Sequence, residues 1–152
     1  MTIRVGSLDD LAPLVGTHLG YSDYRLVTQD DVDLFAQATG DHQWIHVDPV
    51  RAATGPFKGT IAHGYFTLSL VPVLVGQLLH VDGVAMGVNY GANRVRFPSP
   101  VPVGSHVRAG ATMASLDPVS GGVQVTLDVT VEVRDAAKPG CVAQVVYRYY
   151  LA

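Results

Sequence analysis

Hydrophobic and polar positions change period midway along the chain. From residue 84 onward they alternate, most plainly where Val123, Val125, Leu127, Val129, Val131 and Val133 interleave with Gln124, Thr126, Asp128, Thr130 and Glu132. A period of two places one face of a strand in a core and the other in water, as in an antiparallel sheet. Strands are predicted over 84–90, 93–97, 105–116, 123–133 and 141–151, parted by turns rich in Pro or Gly.

The first half follows helical spacing. Thr28-Gln29-Asp30-Asp31 caps a helix that carries Val32, Phe35, Ala36 and Thr39 on one face, and Gly40 stands at its left-handed C-terminal cap. Ser7 to Asp10 has capping-box spacing for a short helix through Leu11 and Leu14, ending near Gly16, and Tyr24 to Val27 reads as a short strand. Asp48-Pro49 is an N-cap followed by proline at the first helical position, and Gly55-Pro56 ends that helix. Gly64 to Leu79 carries no charge and is apolar almost throughout. As a helix it would span about 24 Å, short of the roughly 30 Å of a bilayer core, and Pro72 and Gly76 interrupt it, which predicts a buried central helix and no membrane span. Helices first and strands after predict one α+β domain over 1–152, its sheet curled around that helix.

Composition adds an expectation about assembly. Charged residues make up 15% of the chain and apolar ones 48%, against the roughly 25% charged expected of a soluble domain. So little charge predicts an apolar surface hidden in a homodimer, with an apolar ligand channel as a second contributor. The net charge of −3 and the absence of Lys or Arg runs exclude a nucleic-acid footprint. A lone Cys141 excludes an internal disulfide, and residues 1–10 lack the apolar stretch of a signal peptide, so the cytoplasm is expected.

Candidate chemistry gathers in Gly40-Asp41-His42-Gln43-Trp44-Ile45-His46 and Ile61-Ala62-His63-Gly64-Tyr65. The first segment holds a carboxylate and an imidazole, which a regular helix would set about 140° apart. They converge only if the backbone between them is irregular, and Gly40 and Asp48-Pro49 pin such a turn at both ends. The second segment offers Gly64, whose amide at a helix start lacks an intrahelical partner. His42 and His46 are four apart but find no third ligand in the sequence, so no metal is expected. His63 suits holding the turn better than chemistry; Ser69 can bond a carbonyl one turn back or meet substrate; Cys141 suits packing. Arg94, Arg96, Arg108 and Lys58 are candidates for anionic groups, but isolated cations at strand ends also make a solvated face.

These residues resemble the MaoC-like, or (R)-specific enoyl-CoA hydratase, family. Phe35-Ala36-x-x-Thr39-Gly40-Asp41-x-x-x-Ile45-His46-x-Asp48 is similar to its hydratase motif, and Ile61-Ala62-His63-Gly64 to its helix-start motif. Asn89 to Pro98 and Pro100-Val101-Pro102-Val103-Gly104 are similar to the strand and turn that follow, so the resemblance spans roughly residues 20–150. It implies the hot-dog fold, with Asp41 and His46 as the catalytic pair, the Gly64 amide as the donor to the thioester carbonyl, and Ser69 at a position often serine in the site. Gln43, which would orient the pair or water, and His63 complete the implied substrate-binding set. Gln43-Trp44 stands where the family has Asn-Pro. The implied reaction is reversible hydration of a trans-2-enoyl-CoA, coenzyme A belonging to the substrate and no cofactor being needed. A hot-dog thioesterase, a dehydratase of acyl carrier protein thioesters and a non-catalytic acyl-thioester-binding subunit are the alternatives; the presence of both Asp41 and His46 speaks against the last.

Overall fold

The computed structural model describes residues 1–152. Its elements are β1 (Ile3–Val5), a 3-10 helix (Leu8–Leu14), β2 (His18–Tyr21), β3 (Arg25–Leu26), α1 (Gln29–Thr39), α2 (Trp44–Val47), α3 (Pro49–Ala53), α4 (Gly64–Ser69), α5 (Val71–Val75), β4 (Leu79–Val81), β5 (Val84–Arg96), β6 (His106–Val119), β7 (Gly122–Val133) and β8 (Cys141–Leu151). The main sheet is antiparallel in the order β2-β6-β7-β8-β5, with β3 also on β6, while β1 and β4 form a small parallel pair. This is the α+β, hot-dog architecture expected: Phe66, Leu70, Val71 and Leu74 join one buried cluster with Val125, Leu127, Val129 and Val131 of β7 and Ala143 and Val145 of β8.

Local signals explain most boundaries. Thr28 accepts a hydrogen bond from the Asp31 amide at the start of α1, and Gly40 ends it with φ of 82°. Val32 and Ala36 of α1 are buried and Phe35 half-buried, whereas Thr39 turns outward and bonds the Phe35 carbonyl. Asp48 caps α3 through the Arg51 amide, ahead of Pro49.

Four expectations change. The central helix is two short ones, because Pro72 has no N–H to offer the Leu68 carbonyl and its ring crowds that carbonyl; the chain leaves the helix before Leu79, which lies in β4. Nor is this pair of helices buried all round, since Tyr65 is 71% and Val73 57% exposed. The strands expected at 84–90 and 93–97 are one, β5, which absorbs the Gly91 region through shifts of register against β8. The Ser7 side chain caps no backbone amide; it donates to Asp10 Oδ2 at 3.0 Å, and the turn that follows is a 3-10 helix with Pro13 inside it.

Candidate active site

Asp41, His46 and His63 present ligating atoms within 4.8 Å of one another. The irregular turn needed to bring the first two together is there. Gly40 breaks α1, Asp41 takes the Gln43 amide on Oδ1 at 3.4 Å, and α2 begins only at Trp44, so His46 sits one helical turn beyond a bend.

The segment preceding α4 is fixed from below. Ile61 bridges to Pro102, the Ala62 amide donates to the Val101 carbonyl at 2.8 Å, and the Val103 amide to the Thr60 carbonyl at 2.9 Å. From this anchored segment the Ile61 carbonyl faces His46 Nδ1 at 2.7 Å. A carbonyl can only accept, so Nδ1 carries the proton and Nε2 keeps its lone pair. Burial holds the His46 pKa below its ordinary 6.5, with His63 lowering it further, while the Ile61 bond and Asp41 act the other way. His46 is therefore a neutral base near pH 7.

His63 is 3% exposed and stacks on His46, ring centroids 3.9 Å apart. Its Nε2 lies 3.0 Å from the Asp41 carbonyl and 4.0 Å from Asp41 Oδ2. Since the carbonyl accepts, Nε2 holds the proton, and the buried Nδ1 has no partner. The turn expected to be held by His63 is the one before α4; its side chain instead holds the turn that carries the Asp41 carboxylate. Phe35 packs on the other edge of His63, centroids 5.0 Å apart.

A cavity of about 280 Å³ opens beside this group, lined among others by His46, Phe57, Gly64, Thr67 and Phe97. Gly64 is the first residue of α4, so its amide has no carbonyl to reach within the helix. The space its missing Cβ leaves is taken by Phe97, whose ring carbons would lie 2.8 Å from such an atom. Glycine is thus required there by a neighbouring ring. Ser69 lines none of this cavity: it is exposed and donates to the Tyr65 carbonyl at 2.6 Å, the helix-internal alternative. Thr67, which sequence reasoning missed, lies two residues earlier, is 1% exposed and does line it. Gln43 is exposed, and its side chain bonds no group of the chain.

Trp44 occupies the first position of α2, where proline would supply a preset φ. Its restraint is tertiary instead. A Cβ on Gly55 would lie 3.0 Å from the Trp44 ring, and the Arg51 guanidinium sits 4.4 Å from the ring centroid, which ties α2 to α3. Of the cations considered for anionic groups, Arg108 is committed to Glu132 at 2.8 Å. Lys58 stands in the loop beside Phe57, with φ of 61°. A larger hollow of about 440 Å³ between α5, β5 and β8 involves Pro72, Val75, Tyr147 and Tyr149 and none of the residues above.

Comparison with known proteins points the same way as the motifs. The MaoC like domain matches residues 10–135. The 3-hydroxyacyl-thioester dehydratase Z of Mycobacterium tuberculosis is 55% identical over 144 residues, covering 94% of this chain and 95% of that protein. Nodulation protein N of Rhizobium leguminosarum bv. viciae is 44% identical over 140 residues, covering 90% and 87%. Among solved structures, an (R)-hydratase from A. caviae involved in PHA biosynthesis superposes with a TM-score of 0.68 at 26% identity, over 88% of this chain and 94% of that one. With its motifs in order on a hot-dog sheet and most of its length matched, the chain belongs to the MaoC-like domain family.

Proposed function

We propose that the protein is an (R)-specific enoyl-CoA hydratase of fatty-acid metabolism, interconverting trans-2-enoyl-CoA and (3R)-3-hydroxyacyl-CoA without a metal or an organic cofactor. Family membership and the names of its relatives carry the coarser reading, a hydro-lyase acting on 3-hydroxyacyl thioesters. The observation that supports the finer one is the gathering of Asp41 and His46, ligating atoms within 4.8 Å, beside a cavity where the Gly64 amide begins a helix.

In this reading a water lies between the Asp41 carboxylate and His46 Nε2. The imidazole takes one proton, the hydroxide adds to the β-carbon, and charge moves to the thioester oxygen, met by the Gly64 N–H. The imidazolium then returns its proton to the α-carbon on the same face, while Asp41 steadies the positive ring. Asp41 is the partner for that charge, since its carboxylate favours the protonated form of His46 and its Oδ1 is held by the Gln43 amide.

The reading includes a homodimer. β5 ends the sheet with one edge unpaired, and Met86 and Tyr90 on it are more than half exposed. It also includes the cytoplasm, where a single buried thiol stays reduced. No helix is long and apolar enough to cross a membrane.

The test follows enoyl absorbance with crotonyl-CoA, with chiral analysis of the product. Asp41→Asn and His46→Gln are each expected to lose at least a hundredfold in kcat, the usual scale of acid-base assistance. Full activity in either variant, or release of free thiol in place of loss of the alkene, would sink the assignment.

A further inference from the structure

We propose that Gln29, outside both motifs, is the positioning residue that orients the His46 imidazole; this rests on the reading of His46 as the base. Gln29 opens α1 and reaches across to the two segments that carry the site. Its Nε2 donates to the His46 main-chain carbonyl at 2.7 Å and to Asp33 Oδ1 at 2.9 Å, and its Oε1 accepts from Thr60 Oγ1 at 2.6 Å. The amide orientation is forced, because the carbonyl and the carboxylate can only accept.

These bonds close a ring. From the His46 carbonyl the path runs through Gln29 to Thr60, along the chain to Ile61, and from the Ile61 carbonyl back to His46 Nδ1. A second tie, the Ile61 amide to the Ile45 carbonyl at 3.0 Å, runs beside it. The helix carrying His46 has only four residues, too few to hold itself and with carbonyls that lack intrahelical donors. Something outside α2 must therefore fix the backbone of His46 relative to the carbonyl that sets its tautomer. Gln29 does so from a capped helix start, grasping one side of the ring as a donor and the other as an acceptor. Thr60 is 8% exposed, and its hydroxyl donates to Gln29 Oε1.

The experiment compares Gln29→Met, Thr60→Val, Thr60→Ser and the Gln29→Met/Thr60→Val double variant, by kcat and KM with crotonyl-CoA and by long-range ¹H–¹⁵N NMR of the His46 ring. Expected for Gln29→Met is a kcat lowered roughly tenfold to a hundredfold, the scale of an ångström's misplacement. KM should stay within about twofold, a split that marks transition-state geometry rather than binding. Thr60→Ser should behave as wild type, Thr60→Val as Gln29→Met, and the double variant as the worse single one, because both break one ring. The ring should be the Nδ1–H tautomer in the wild type and a mixture in Gln29→Met. A folded Gln29→Met with unchanged kcat and tautomer would overturn the proposal, as would losses that multiply in the double variant. If the wild type hydrates no enoyl thioester, the proposed function fails by itself, and the tautomer measurement still decides the role of Gln29.

Discussion

His46 and His63 lie face to face, and of the two only His46 lines the cavity beside Gly64. His63 Nε2 is committed to the Asp41 carbonyl and its buried Nδ1 has no partner, so the stack sets the free lone pair of His46 beside a ring tied to the Asp41 backbone. Because the proposed mechanism needs His46 neutral, the acidic limb of kcat/KM should fall below pH 6.5. His63 pushes that value down, so His63→Gln should move the limb toward higher pH as kcat falls, a shift that a pH profile reads directly. The sign for stability follows as well. A pKa depressed in the folded state means that the unfolded chain binds more protons, so the contribution of His46 is full above about pH 6.5 and lost as pH falls from there toward the folded value. Gly64 gives a second residue-scale expectation. Gly64→Ala should cost about 1–3 kcal/mol of overpacking against Phe97, measured by urea unfolding. In a Phe97→Ala background the same change should cost almost nothing, since the backbone of Gly64 is ordinary helix.

At the scale of elements, the start of α1 links stability to the site. Thr28→Ala should lose about 1 kcal/mol, the usual worth of a side-chain N-cap. Because Gln29 is the next residue, it should also lower kcat more than an equally destabilising change at the far end of α1. Elements governed by local chemistry were legible before any coordinates. The cap at Thr28, the left-handed Gly40, the proline after Asp48 and the alternation of β7 act within a few residues, and so they are written in order along the chain. What escaped depends on distant partners. β1 and β4 are three residues each and make sense only against one another. The interruption at Pro72 is legible from the proline itself, whereas the passage of the chain into β4 depends on its pairing with β1. Within the site, Asp41 and His46 share one short motif and could be found. His63 stands in the helix-start motif and could be found as well, whereas Gln29, Thr67 and Phe97 serve through residues far off in sequence, and no periodicity marks a glutamine whose amide meets a carbonyl in another helix.

For the whole molecule, low charge and a free sheet edge make the same demand. Exposed Met86 and Tyr90 on β5, with Tyr65, Val73 and Phe97 elsewhere, leave apolar surface that a second copy would cover. Sedimentation should find a dimer, and Met86→Lys, which sets a charge on the edge, should shift it toward monomer; a monomeric wild type would refute the pairing. The chain's one thiol has a practical bearing on telling a hydratase from a thioesterase. Cys141 lies in the core at the start of β8, and burial pushes its pKa up to about 11. A thiol both enclosed and protonated does not react with a disulfide reagent. In the native protein such a reagent should therefore report coenzyme A alone, with no background from the enzyme. Any cysteine later placed on the rim of the cavity would be the single labelling point on the molecule.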